Sequence, residues 1–423
     1  MPTWLVIVVT AGASYLLSLV VRVLTSREKK IAHEIEHLFS VADDQFVRSM
    51  GGLLPPAVLG GNRITSLTNG DEFFPAMLNA IGSARHSVTF ETYIYWQGEI
   101  GRQFADALID RARAGVRVHV LLDWIGTKKM DPQLVQSLKD AGAEVERYHP
   151  LRWYNIRRVN NRTHRKLLVV DGTVGFTGGA GIADQWLGCA QDPDHWRDSH
   201  FKIEGPVVAQ CQAAFMDNWL KTRSRVLQSR EYFPEVAPAG SHRAQVFMSS
   251  PSEGSESARL MYLLSIASAT ESIRIASAYF VPDDLSVRTL VDARRRGVTV
   301  EIIVPGEHTD TDVIRRAGRS RWGPLLEAGA AIYEYRPTMY HCKVMIVDDR
   351  WTSVGSANFD SRSFRLNDEA NLNVYDADFA HEQADVFDRD KEQSRRVTLE
   401  EWRDRPWPEK LHEWLTGLVR SQL

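Results

Sequence analysis

The sequence predicts an α/β fold built from two repeated units, each a largely parallel sheet with helices on both faces, behind an apolar N-terminal helix. Three observations carry this expectation. The 423 residues are too many for one ordinary core. From about Arg63 the chain repeats its own order of strand, helix, strand, helix, strand. Near the N-terminus, the eighteen residues from Trp4 to Val21 carry no charge.

The apolar run comes first. At about 1.5 Å per residue it nearly crosses a bilayer core, and Val23 and Leu24 extend it past Arg22. Its basic residues, Arg22, Arg27, Lys29 and Lys30, follow the run, whereas a signal peptide carries them before it. A retained transmembrane anchor over 1–24 is therefore preferred to a cleaved signal or a buried helix. The positive-inside rule then predicts the cell inner membrane, with the rest of the chain on the cytoplasmic side. Ile31, Ile35, Leu38 and Phe39 recur at helical spacing and predict a juxtamembrane helix. Gly and Pro between Gly51 and Asn62 predict a linker, so 25–62 is read as a connecting segment.

The repeats follow, over 63–232 and 243–400, joined by the Pro-rich "FPEVAPAGSH" (Phe233 to His242). "SVTFETYIYW" (Ser87 to Trp96) corresponds to "SIRIASAYFV" (Ser272 to Val281), both β-branched and aromatic. "AGVRVHVLLD" (Ala114 to Asp123) matches "RGVTVEIIVP" (Arg296 to Pro305), and "AGAEVERYHP" (Ala141 to Pro150) matches "AGAAIYEYRP" (Ala328 to Pro337). Helical stretches lie between them, the order of crossover units on a parallel sheet. The first repeat then carries ten additional residues, Leu151 to Asn160. In the C-terminal segment, 401–423, Trp407, Leu411, Trp414, Leu415 and Leu418 share one helical face. A membrane-surface helix and a helix packed on the body both fit that face.

Bulk composition excludes some classes. A net charge of −3 gives no global attraction for nucleic acid, so any phosphate site is local. The three cysteines, Cys189, Cys211 and Cys342, are distant and outside CxxC pairs, which argues against a disulfide framework or structural zinc. "HEIEH" (His33 to His37) fits a zinc-protease pattern, yet no third ligand is apparent, and a solvated helix face is preferred. There is no GxSxG elbow and no P-loop.

The chemistry sits at the last strands of the two repeats. "RTHRKLLVVDG" and "MYHCKVMIVDD" both place a histidine and a lysine two residues apart, ahead of an apolar run that ends in aspartate. Alternate strand residues face the same way, so His164 pairs with Lys166 and His341 with Lys343. Asp171 and Asp348 lie an odd number of residues from the histidines and are expected to hold local backbone. Six residues after each aspartate come Gly178-Gly179 and Gly355-Ser356, where small residues let N–H groups approach an anion. Asn358 adds a side-chain donor. Asp198 in "WRDSHF" and Glu369 in "LNDEAN" are candidates to orient His164 and His341. A single HxK means little, and "HFK" at His200 is another, without the trailing pattern. Two copies of HxKxxxxDx6G[GS] at matching places in a repeat are a specific signal.

That doubled pattern resembles the signature of the phospholipase D superfamily from about Asn62 to the C-terminus, most like bacterial cardiolipin synthases. "FETYIYW", "LLDWIG", "HRKLLVVDGTVGFTGG", "WRDSHFKIEGP", "AYFVPDD" and "VGSANFDSRSFRLNDEANL" support it. The resemblance implies two α/β/α repeats packed face to face as a pseudo-twofold pair, with both HxK strands at one pocket. It implies a catalytic set of His164, Lys166, Asp171, His341, Lys343 and Asp348, with His164 as nucleophile and His341 as acid and base. It implies no metal or other cofactor. The chain departs from the family at Gly181, where an asparagine is common; only the second repeat keeps it, as Asn358.

The implied reaction moves a phosphatidyl group from phosphatidylglycerol, through a phosphohistidine, to the hydroxyl of a second phosphatidyl lipid, giving cardiolipin and glycerol. A phosphodiester already carries negative charge, so its site needs cations, a nucleophile and an acid. A lipid hydrolase using water is the first alternative. A phosphodiesterase or nuclease is the second, because "RWYNIRRVNNR" (Arg152 to Arg162) is basic and aromatic. The same stretch also suits anionic headgroups, and Trp153 and Tyr154 are candidates for the pocket mouth. With an apolar N-terminus and a negative total charge, phospholipid and membrane are the expected partners and nucleic acid is not. Oligomeric state is left open.

Overall fold

The computed structural model describes residues 2–24, 35–151, 160–250 and 257–417. Ile31, the stretch from Arg152 to Val159, and Leu418 fall outside them. The strands of the first repeat are β1 (Leu59–Thr68), β2 (Ser87–Thr92), β3 (Arg117–Asp123), β4 (Glu144–Tyr148), β5 (Arg162–Thr163), β6 (Leu167–Val170), β7 (Val174–Gly178) and β8 (Ser199–Glu204). Those of the second are β9 (His242–Ser249), β10 (Ser272–Ser277), β11 (Phe280–Val281), β12 (Thr299–Pro305) and β13 (Ala331–Tyr335). They continue with β14 (Lys343–Val347), β15 (Trp351–Gly355), β16 (Phe359–Asp360), β17 (Asn367–Val374) and β18 (Ser394–Val397).

One continuous sheet results, ordered β18-β13-β12-β10-β14-β15-β17-β9-β1-β8-β7-β6-β2-β3-β4. Read outward from the β9–β1 junction, both directions give the same sequence of equivalent strands, with β18 added at one edge, which is the expected pseudo-twofold. The repeats therefore join edge to edge in one sheet, and not face to face as the resemblance implies. The small core of Ile64, Leu167, Val169, Phe201, Val246, Val354 and Leu372 spans that junction.

The sheet is mixed, but it is not mostly parallel as expected. Parallel pairing within it is limited to β2–β3–β4, β10–β12–β13 and the short pair β5–β17. The HxK strands β6 and β14 run antiparallel to β2 and β10, and then to β7 and β15. The reason is connection length. A parallel return needs a crossover of a dozen or more residues, and only a short turn joins β6 to β7. Where crossover helices exist, parallel pairs form. Glu99–Arg113 is one such helix: Ile100, Phe104, Leu108 and Ile109 bury one stripe, and Arg111 and Arg113 complement its C-terminal dipole.

The N-terminal region differs from the sequence pattern. Residues 35–43 are not helical, and the next helix is Asp44–Leu53, capped by the Asp43 carboxylate on Gln45 N–H. Phe46 and Met50 of that helix are buried in the second core, with Phe46 edge-on to Trp351. The stretch expected as a linker is thus divided: Gly51 to Leu53 finish this helix and Leu59 opens β1. A helix also covers Thr3–Leu24. Among the described residues no helix is long and apolar enough to cross a membrane, and several of this helix's side chains, such as Leu16, Leu17 and Leu19, fall outside that set. His33 and Glu34 of "HEIEH" fall outside it too, and His37 is non-helical, with Nδ1 2.7 Å from the Ala267 carbonyl.

Candidate active site

The two HxK runs sit at equivalent places, and their alternation is visible in their contacts. Lys166 Nζ donates to the His164 carbonyl at 2.7 Å, and Lys343 Nζ donates to the His341 carbonyl at 2.6 Å. Lys343 Nζ also lies 3.1 and 3.3 Å from the two ring nitrogens of His341. The middle residues point the other way. Arg165 donates to the Ala214 and Ser249 carbonyls and to Asp217, pinning its strand to the helix Val208–Arg223. Cys342 lies against Ser199 and the Arg197 carbonyl.

Both candidate carboxylates orient histidines, but across the pseudo-twofold. His164 Nδ1 is 3.0 Å from Glu369 of the second repeat, and His341 Nδ1 is 2.7 Å from Asp198 of the first. Backbone bonds impose this exchange. Short strand β5 pairs with β17, and His164 N–H donates to the Asp368 carbonyl at 2.9 Å. In the mirror position Arg197 N–H donates to Met339 and His341 N–H to Arg197, at 2.9 and 2.8 Å. Each repeat therefore holds the histidine of the other beside its own carboxylate, and the two sets lie close enough for Lys343 to act on His164 and Asp198 on Lys166. Arg197 is clamped by a two-pronged ion pair with Asp390, at 3.0 and 2.9 Å, which locks the second crossing.

Electrostatics suit an anion at this centre. Burial pushes His164 down to about 4, with Glu369 opposing and Lys166 reinforcing, so its ring is neutral at pH 7. His341 is lowered by burial and by Lys343, against the pull of Asp198. Burial, then the neighbouring Lys343, brings Lys166 down to about 7. Lys343 is lowered by burial. Burial tends to raise Asp198 and Glu369, but the histidines and lysines outweigh it and hold both carboxyls below their usual range. Two buried ammonium groups near one another favour an anion between them.

The remaining expected residues divide into pocket and frame. Asp171 and Asp348 lie at the far ends of β6 and β14, in left-handed backbone at φ 51° and 53°. Asp171 accepts from the N–H groups of Arg85, His86 and Ser87. Asp348 accepts from Thr270, Glu271 and Ser272 N–H and from the Thr270 hydroxyl. Both aspartates thus hold local backbone at a turn, as their spacing from the histidines predicts. Gly179 has its Cα against the Asp198 carboxylate, where a Cβ would collide. Its counterpart Ser356 donates to Glu369 Oε2 at 2.5 Å. Asn358 is buried, and its Oδ1 lacks a hydrogen-bond partner among the described residues. At Gly181 a Cβ would stand 2.8 Å from Ile94 Cβ, with Trp186 also close, so the family's asparagine has no room.

Several site residues carry no repeat signal. Trp186 and Trp196 flank the His341 ring at centroid distances of 5.3 and 5.5 Å, and Trp186 Nε1 donates to Asp198 at 2.9 Å. Tyr93 meets His164 edge-on at 5.2 Å, and Tyr279 meets His341 edge-on at 6.5 Å. Both tyrosines follow the matched strands β2 and β10, the only sequence clue to them. Beneath His164, Thr163 donates to the buried Glu91 at 2.5 Å, and Asn218 adds a second donor at 2.7 Å.

Paired imidazoles, crossed carboxylates and two lysines make a candidate site with the groups that phosphodiester transfer of phospholipase D type needs. Comparison with known proteins agrees. The chain matches the family described as "Cardiolipin synthase, PLD-like domain" over residues 77–219 and 262–391, and it belongs to that family. It is an enzyme of the phosphatidyltransferase class, of cardiolipin synthase type. It is 36% identical to cardiolipin synthase 1 of Bacillus anthracis over 84% of this chain and 72% of that one. It is 35% identical to cardiolipin synthase A of Pseudomonas fluorescens over 84% of this chain and 74% of that one. The crystal structure of phosphatidylserine synthase from Haemophilus influenzae shares the fold, with a TM-score of 0.68, 18% identity, and coverage of 90% of this chain and 99% of that one.

Proposed function

We propose that the chain converts phosphatidylglycerol to cardiolipin by two in-line displacements at one phosphorus. In the first, His164 Nε2 forms a bond to phosphorus as the bond to the glycerol oxygen breaks, and His341 gives that oxygen its proton. In the second, His341 takes the proton of an acceptor hydroxyl on another phosphatidyl lipid. That oxygen then bonds to phosphorus, and the bond to His164 breaks. Lys166, Lys343 and Asn358 stabilise the non-bridging oxygens, while the Gly179 and Ser356 N–H groups are held by the Ser199 and Ala370 carbonyls. Glu369 and Asp198 are positioning residues that fix the Nδ1–H tautomer, which makes Nε2 the ring atom that serves the phosphorus.

The single observation that carries this reading is the crossed pairing of His164 with Glu369 and His341 with Asp198. It brings two imidazoles of similar burial to one centre, where the bound phosphodiester's charge favours protonated His341 while Glu369 keeps His164 oriented for attack. The chemistry is carried on the repeats 63–232 and 243–400, joined at 233–242. The helix Thr3–Leu24, which exposes Trp4, Val6, Ile7 and Val9, seats the enzyme at the inner membrane with its repeats on the cytoplasmic side.

The test is one mixture of purified protein and phosphatidylglycerol, with the lipids resolved afterwards. Cardiolipin with equimolar glycerol supports the proposal. Phosphatidic acid alone makes water the acceptor and the enzyme a hydrolase. Oligonucleotide cleavage with no lipid turnover overturns the lipid reading. His164→Ala and His341→Ala each abolish transfer while leaving the circular dichroism spectrum unchanged.

A further inference from the structure

The C-terminal helix Trp407–Gly417 is docked to the body the wrong way round for a soluble protein. Among its described side chains the buried one is a charge: Glu413 is 2% exposed, pairs with Arg405 at 2.8 Å and lies 3.8 Å from Arg319. The opposite stripe carries Trp407, Leu411 and Trp414, which are 71%, 41% and 61% exposed, with exposed Lys410 between them. Residues at these spacings lie within one face of a helix. The helix against which it packs, Asp312–Arg319, adds exposed Val313. A packed amphipathic helix would hide the apolar stripe and show the charge.

This helix pair is continuous with the reaction centre. Gly318 sits so close to the Phe280 carbonyl that a Cβ would not fit. The preceding residue, Tyr279, donates its hydroxyl to Asp310 and meets the His341 ring edge-on. From the exposed stripe to His341 the path is therefore two packed helices and one tyrosine.

The geometry points to this stripe as a seat in the surface of an anionic phospholipid bilayer, holding the reaction centre's His341 side against the lipid that it consumes. The inference rests on the proposed lipid substrate. Tryptophans with an intervening lysine suit the headgroup boundary, where rings bury and the ammonium meets lipid phosphate. This contact is distinct from the N-terminal helix, because it orients the reaction centre.

The experiment uses the full chain with Cys189→Ser to remove the exposed thiol. An environment-sensitive fluorophore is placed at Leu411→Cys, with Gln136→Cys as the control on another surface. Phosphatidylglycerol vesicles carrying a lipid-borne quencher are expected to quench position 411 several-fold more than position 136. Equal or no quenching at 411 overturns the inference. So does a lipid-independent change at 411 that tracks self-association, which would make the face a contact with a second copy. Leu411→Glu with Trp414→Glu is expected to raise KM about tenfold for vesicle substrate and leave turnover of detergent-dispersed lipid within twofold. Loss in both formats speaks against a seat. Quenching at 411 with no lipid turnover in the parent chain would instead sink the proposed reaction and keep the seat.

Discussion

Replacing Asp198 by asparagine separates the crossed arrangement from a conventional one. The Asp198 carboxylate is fully buried and accepts three bonds: from His341 Nδ1 at 2.7 Å, from Trp186 Nε1 at 2.9 Å and from Ser199 N–H at 2.8 Å. The first two reach one oxygen, Oδ2, and the third reaches Oδ1. An amide in the same place has one accepting end, so at least one buried donor faces an N–H₂ group. Loss of a charged, buried hydrogen bond costs about 1.5–3 kcal/mol. At about 1.4 kcal/mol per tenfold, the upper figure gives roughly a 100-fold fall in kcat/KM. The assay is cardiolipin formation in mixed micelles, with nitrogen-15 NMR of the histidine rings as the second readout. Asp198→Asn should alter the tautomer balance of His341 and leave His164 unchanged. Glu369→Gln should do the reverse. A fall below about threefold, or a response at His164 in the Asp198 variant, would refute the crossed pairing.

Other consequences follow from the frame around the site. Asp348→Ala removes four bonds from a left-handed turn and should cost about 2–4 kcal/mol in urea denaturation, with turnover per folded molecule retained. Dead enzyme at full stability would return Asp348 to the chemistry. Gly181→Asn should lower stability by about 1–3 kcal/mol through overpacking on Ile94, read as a lower melting temperature, with no gain in rate. His200 is held at about 4 by burial, and neither ring nitrogen has a partner among the described residues. Between pH 6.5 and 4 the unfolded chain binds a proton that the folded chain refuses, so this contribution is full above 6.5 and lost toward 4. His200→Asn, which copies its counterpart Asn371, should therefore gain stability relative to the parent as pH drops from 7 to 5. A constant difference across that range would contradict the assignment.

The site was legible where the repeat wrote it twice. His164, Lys166, His341 and Lys343 share a face because strand alternation needs only local geometry, and Arg165 and Cys342 turn away for the same reason. Asp198 and Glu369 were visible as acids in matching places, but their exchange was not. It depends on how the repeats dock, through β5 on β17 and Arg197 on Met339, and no spacing within one repeat encodes that. The strand directions illustrate a competing signal. Asp171-Gly172 between Val170 and Val174 is a hairpin turn, and it outweighs the crossover pattern earlier in the repeat. Trp186 and Trp196 come from an irregular stretch with no counterpart in the second repeat, so tertiary contact alone brings them to His341. At the C-terminus the apolar face was evident, yet only the burial of Glu413 shows which face meets the body.

The central claim, that two imidazoles from different repeats serve a single phosphorus, is tested most directly by a crystal structure of the full chain with orthovanadate. One oxyanion per chain is expected, bonded to one histidine Nε2 and within hydrogen-bond reach of the other, with Lys166 and Lys343 on its oxygens. Two separate oxyanions, each held by its own histidine, would contradict the account.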